Sequence, residues 1–184
     1  KNAGRLIKEG MMDAVKLEGG IEYIKQVAAI VAAGIPVMGH VGLKPQSVLI
    51  ESGYKIQGKT ADSALKIYKD ALALADAGVF ALVLEGVPEE LAKIITQKIK
   101  VPTIGIGAGK YCDGQIQVLH DAIGLLGEIV PKHAKTYINS QKMVLDGITK
   151  YKSEVENNTF PNNNHATKMD TKELNDLKNK IENL

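Results

Sequence analysis

A parallel α/β fold is what this sequence predicts, and three observations predict it. Short apolar runs alternate with longer stretches of helical periodicity, the links between them are brief, and one block of the pattern occurs twice. Parallel strands cannot be joined by a tight turn, so a helix must carry the chain back between them. The chain has 184 residues, 45% hydrophobic and 24% charged, which is ordinary globular composition with enough length for one sizeable core.

The elements follow in order. Residues 1–10 read as the end of a helix, with Gly10 as its stop. The run 12–17 is a strand. In 21–34, Ile21, Ile24, Val27 and Val31 keep helical spacing and Gly34 is the cap. PVMGH (36–40) is a short strand, followed by a polar loop through Lys59. Thr60 caps a helix over 61–78, and 80–84 is a strand. Pro88 suits the first turn of a helix over 88–99, and 101–106 is a strand leading into the glycine loop GIGAG (105–109). QIQVLHD (115–121) reads as one more strand. Past Asn157 the stretch FPNNNHATKMD is polar and Asn-rich, the composition of a linker. Asp170 then caps a short helix with Glu173 in capping-box position. Its stripe of Leu174, Leu177, Ile181 and Leu184 suits docking on its own or a neighbouring subunit. The expected division is a catalytic barrel portion at 1–160, then a polar linker and short C-terminal helix at 161–184.

The repeat narrows the fold. AVKLEG at 14–19 is echoed by ALVLEG at 81–86, and PVMG at 36–39 by PTIG at 102–105, at nearly the same displacement. A whole β-α-β-α block therefore recurs. A doubly wound sheet has no reason to repeat in this way, whereas a (β/α)8 TIM-type barrel is built from equivalent units. Five strands are legible here, and a closed barrel has eight in about 250 residues. The expectation is the last five strand–helix units of such a barrel, trimmed at the front, where Lys1 stands instead of methionine.

Composition excludes several classes. A net charge of +2 offers no strong field to nucleic acid or an anionic membrane. Arg5 is the single arginine, so bidentate gripping of phosphates is not the chain's device. Cys112 is alone and no intramolecular disulfide can form, which points to a reducing cytoplasm. No apolar run reaches membrane-spanning length and no signal peptide is visible. Five barrel strands leave two open edges, so a homo-oligomer that covers them is expected.

Catalytic groups of barrels stand at the C-terminal ends of strands, where Lys16, Glu18, His40 and Glu85 all fall. The echo makes Glu18 and Glu85 equivalent, with Val83 in place of Lys16. Lys16 lies two residues from Glu18 on the same strand face and keeps it ionised, which suits a metal or metal-water ligand. Glu85 ends an apolar run with no cation built in, and is the carboxylate expected to accept a proton as general base. A strand-end salt bridge at 16 and 18 and a structural carboxylate at 85 explain the same pattern equally well. His40 reads as a metal ligand, a substrate hydrogen-bond partner or a loop-orienting residue, and a lone histidine favours the last two. His120, on the last strand, and His133, in a basic stretch, read as structural. The GIGAG glycines suit either a ligand close to the backbone or a tight turn.

These segments carry a resemblance. VKLEGG, GHVGLKPQSV, GYKIQGKT, LVLEGVPEELAKIIT, PTIGIGAG, DGQIQVLHDAIG and PKHAKTY, in this order, resemble the ketopantoate hydroxymethyltransferase family over about residues 1–160. The resemblance implies a Mg²⁺-dependent barrel enzyme. It would move a one-carbon unit from 5,10-methylenetetrahydrofolate to 3-methyl-2-oxobutanoate, giving 2-dehydropantoate on the route to pantothenate. It implies that Lys16 binds the keto acid, that Glu18 belongs to the magnesium site and that Glu85 is the proton acceptor. Two aspartate ligands and a serine of the family fall on earlier strands, outside this sequence, and His133 stands where the family usually has an aromatic residue. Two other readings compete. A Mg²⁺-dependent lyase or mutase of phosphoenolpyruvate-like acids would want arginines near the strand ends, and there are none. A non-catalytic remnant serving as an assembly element would genuinely lack the early aspartates.

Overall fold

The computed structural model describes residues 1–47, 55–125 and 130–183. The chain divides into two compact units, one of residues 1–122 with 130–135 and one of 123–129 with 136–184.

The first unit opens with α1 (Asn2–Lys8) and β1 (Val15–Glu18). A 3-10 turn (Ile21–Tyr23) then runs into α2 (Ile24–Ala32). Next come β2 (Val37–Gly42), α3 (Ala61–Asp76), β3 (Ala81–Glu85), α4 (Glu89–Lys98), β4 (Thr103–Ile106), β5 (Gly114–Gln115) and α5 (Leu119–Ala122). The five strands form one sheet in the order β1-β2-β3-β4-β5, all parallel. Strand order that follows chain order never reverses, so there is no doubly wound switch point. This is the sequential winding of a TIM-type barrel, with five of its strands described.

Alternation along each strand separates two faces. Val37 and Val41 of β2 and Leu82 and Leu84 of β3 lie in one buried cluster with Val27 of α2, Ile67, Ala71 and Leu74 of α3, and Leu91, Ala92 and Ile95 of α4. Helix-facing positions are therefore apolar, and each fully buried leucine stabilises the layer by about 1.5–3 kcal/mol. Lys16, Glu18, His40, Val83 and Glu85 take the alternate positions, on the face that a barrel turns inward.

Local chemistry explains the boundaries. Thr60 caps α3 as expected, in a reciprocal capping box with Ser63. Pro88 sits one residue earlier than expected, as the N-cap of α4. β1 begins at Val15 instead of 12, because the residues before it do not pair with β2 and Met12 N bonds back to Leu6 O at 3.3 Å. The strand expected over 115–121 is a correction: β5 ends at Gln115 and α5 starts at Leu119, so His120 is on a helix. β4 and β5 pair at two positions only, Ile104 with Gly114 and Gly105 with Gln115, so the ladder stops there. Part of the polar loop through Lys59, residues 48–54, lies outside the described residues.

The second unit holds α6 (Ser140–Glu156) and α7 (Thr171–Glu182). The Asn139 side chain accepts from Lys142 N at 2.9 Å, and Asp170 accepts from Lys172 N at 2.8 Å. Sequence reading passed over α6, although Val144, Ile148, Tyr151 and Val155 keep helical spacing after a capping Asn. Leu174, Leu177 and Ile181 of the α7 stripe are exposed, and Leu184 lies outside the described residues. Among the described residues no helix is long and apolar enough to cross a membrane.

Candidate active site

The opening strand ends in two glycines, and the structure gives each a reason. Gly19 has φ +129, and a Cβ there would meet the Tyr23 ring. At Gly20 a Cβ would run into the Asp70 carboxyl group, which accepts a hydrogen bond from Ile21 N at 2.9 Å. Asp70, buried in α3, thus closes the start of the turn into α2, and only glycine leaves it room. Just beyond, Glu22 pairs with Lys44 at 3.7 Å. Partial burial opposes ionisation of Glu22. Backbone hydrogen bonds at Glu22 and Gly20 and the charges of Lys44 and Lys66 outweigh it, so its carboxyl lies below the ordinary range.

Register assembles the charged groups. Glu18 pairs with His40 across β1 and β2, His40 with Val83 and Gly42 with Glu85 across β2 and β3. Glu18 and Glu85 therefore stand on the same face and at the same C-terminal rim, with the His40 ring between them. His40 Nδ1 is 3.6 Å from Glu18 Oε1, and Nε2 is 3.3 Å from Glu85 Oε2. The second distance is short, but the carboxylate lies off the N–H direction and makes no aligned hydrogen bond with Nε2. Lys16 Nζ lies 3.5 Å from Glu18 Oε1 and 3.4 Å from His40 Nδ1. Gln46 N donates to Glu18 Oε2 at 3.3 Å.

Exposure ranks these groups. The His40 side chain is 0% exposed, Glu18 11%, Glu85 18% and Lys16 48%. Lys16 is accessible to a ligand, and His40 offers no exposed atom to one. All four predicted residues thus come together, but His40 lies under the carboxylates. Glu85 is also less isolated than its sequence suggests, since a histidine nitrogen faces it.

Glu85 opens into a cleft of about 1080 Å³. Its walls include Leu43, Val87, Ile106 and Val118, and Gly107 and Gly109 of the glycine loop. Lys55, Lys110 and Lys132 line it as well, and sequence reading missed all three, because single lysines in loops carry no local signal. His133 lies against Gly107: a Cβ on that glycine would come within 3.1 Å of the imidazole ring. The loop glycines are therefore tight packing positions as well as cleft lining.

Metal chemistry is the weakest fit. Among the described residues no group of three or more His, Cys, Asp or Glu side chains could hold a metal ion. Glu18 supplies one carboxylate, both of whose oxygens already have partners. The described residues alone do not make a magnesium site.

A parallel sheet wound in chain order, with carboxylates, a lysine and a histidine gathered at its C-terminal rim, defines the class: a barrel-type α/β enzyme fold with its ionisable groups where such folds keep their chemistry. The chain belongs to the ketopantoate hydroxymethyltransferase family, whose sequence model matches residues 1–163. It is similar to curated proteins named 3-methyl-2-oxobutanoate hydroxymethyltransferase. The Thermoanaerobacter sp. (strain X514) protein is 54% identical over 94% of this chain and 63% of its own length. The Clostridium kluyveri protein is 52% identical over 92% of this chain and 61% of its own length. The Nitrosopumilus maritimus protein is 48% identical over 98% of this chain and 64% of its own length. The chain thus spans about three-fifths of the length of the relatives it matches.

Proposed function

We propose that this chain carries the acid–base part of a hydroxymethyltransferase site. The reaction moves a one-carbon unit from 5,10-methylenetetrahydrofolate to 3-methyl-2-oxobutanoate and gives 2-dehydropantoate. The observation that carries the proposal is the shared rim: Glu18 and Glu85 flank His40, within 3.6 Å and 3.3 Å of its two nitrogens, in a chain of this family.

Glu85 is the proton acceptor. It stands at the wall of the cleft, where a ligand atom can reach it, and takes the hydrogen from C3, the carbon beside the keto group. Negative charge then develops on the keto oxygen. The Lys16 ammonium, half exposed, holds the negative end of the keto acid. Water opens both bonds from the methylene carbon to the folate nitrogens, which leave as the N–H groups of tetrahydrofolate and release the carbon at the formaldehyde level. C3 forms its bond to that carbon, and the proton held by Glu85 goes to the new hydroxyl oxygen. The cleft with its apolar walls and lysines is the proposed seat of the folate, an apolar-bodied anion. Glu18 is the one residue proposed toward Mg²⁺, a hard cation that prefers oxygen; its single carboxylate does not complete a site, and no step here passes through metal.

The test is exchange of the C3 hydrogen of 3-methyl-2-oxobutanoate with deuterium, followed by NMR in the presence of the protein. Exchange that disappears in Glu85→Gln supports the assignment. Exchange that persists at near wild-type rate in that variant removes Glu85 as the base.

A further inference from the structure

The buried His40 ring is the one titratable group at the rim that the proposed steps leave without a task. It has no exposed surface, and its Nε2 is a buried polar atom with no aligned hydrogen bond. Such atoms are uncommon in folded proteins and ask for an explanation.

The neighbours decide which nitrogen carries hydrogen. A lysine ammonium donates and cannot accept, so Lys16 Nζ, 3.4 Å from Nδ1, needs a lone pair there. With the lone pair on Nδ1, the single ring hydrogen belongs on Nε2. The acceptor in front of Nε2 is Glu85 Oε2 at 3.3 Å. The other tautomer would send Nδ1–H toward Lys16, with only Glu18 Oε1 at 3.6 Å to receive it. It would also set an Nε2 lone pair against the oxygen of Glu85.

We propose that His40 is a positioning residue for Glu85: Lys16 fixes its ring in the Nε2–H form, and that N–H holds one carboxylate oxygen while the other faces the cleft. The inference rests on the reading of Glu85 as the proton acceptor. Oε2 is already within hydrogen-bond distance of Nε2, and turning the carboxylate about its own side-chain bonds is what aligns it with the N–H. β2 is an interior strand, paired with β1 on one side and β3 on the other, so the backbone that carries the ring is held along both edges. On the far side of Glu85 the register neighbour is Ile106, whose side chain offers no hydrogen bond, whereas His40 Nε2 at 3.3 Å is within reach of the carboxylate. Lys16 then has two effects, one on the substrate and one relayed through the ring.

Nitrogen-15 NMR of the labelled imidazole tests the tautomer without any turnover. The expected spectrum has Nε2 in the protonated range and Nδ1 in the unprotonated range. In Lys16→Met the two nitrogens move toward averaged positions. A wild-type ring with hydrogen on Nδ1 overturns the proposal, as does a Lys16→Met spectrum identical to wild type. Kinetics supply the second arm. In His40→Asn the kcat of C3 exchange falls on the order of tenfold to a hundredfold with KM nearly unchanged, and His40→Gln, whose amide reaches further toward Glu85, restores part of it. An unchanged kcat in His40→Asn, or a loss carried wholly by KM, overturns the role. Failure of the base assignment would show separately, as exchange persisting in Glu85→Gln while the tautomer stays as drawn.

Discussion

The two β-α-β halves of the sheet place a glutamate at the same point and surround it differently. Glu18 closes β1 and Glu85 closes β3, each at the last residue of its strand. Around Glu18 stand Lys16 and His40; the equivalent positions of the second half are Val83 and Ile106. The second half keeps its buried polar group at the opposite end. Thr103, where the first half has Val37, accepts from Asp113 N at 3.2 Å, and its hydroxyl and N–H both reach Asp113 Oδ2, at 3.0 and 2.8 Å. Thr96 completes that cluster at 2.9 Å. In barrel-type sheets the C-terminal strand ends carry chemistry and the other end carries stability. A recurring backbone thus sets where a carboxylate stands, and single side-chain exchanges decide what it can do.

Exchanging residues between the halves breaks or sharpens that contrast. The largest effect is expected at Glu85→Gln, which removes the proposed acceptor and slows C3 exchange by about 10²–10⁴-fold. Lys16→Val gives the first half the neighbour of the second; the KM for the keto acid rises about tenfold to a hundredfold, the loss of one charged hydrogen bond, in steady-state kinetics. Gly20 is the counterpart of Val87, and Gly20→Ala forces a Cβ into the Asp70 carboxyl. Urea unfolding should show a loss of about 1–3 kcal/mol. Asp70→Ala costs about 1 kcal/mol through the lost cap, and the double variant should lose less than the sum because the groups touch. Thr103→Val gives the second half the residue of the first; it leaves Asp113 with fewer partners and costs about 1–2 kcal/mol by the same measurement. The smallest effect concerns Cys112, whose thiol is pushed up chiefly by burial, against hydrogen bonds with Thr103 and Thr96 that pull it down, with the Asp113 charge adding a last small push upward. Alkylation by iodoacetamide at neutral pH should be slower than for an exposed cysteine and should quicken on unfolding.

Much of the fold was legible because its signals are local. Thr60 with Ser63 marks a helix start, the continuous apolar run of ALVLE marks a buried strand, and the echo of AVKLEG marks a repeated unit. The misreading of 115–121 has a physical cause as well. An apolar run becomes a strand only where a partner edge is in reach, and β4 offers β5 only two paired positions. The GG pair was legible as a turn but not as room for Asp70, which approaches from a helix far along the chain.

The sequence alone determined the parallel winding, the equivalence of Glu18 and Glu85, and the lysine that distinguishes them, since strand period and repeat spacing are written within short windows. Tertiary structure decided that His40 is buried between the two carboxylates and that Glu85 opens into a lysine-lined cleft. Those relations depend on the register between separate strands and on loops that meet only after folding. Distances between side chains from different strands are set when the sheet forms, and no local pattern encodes them.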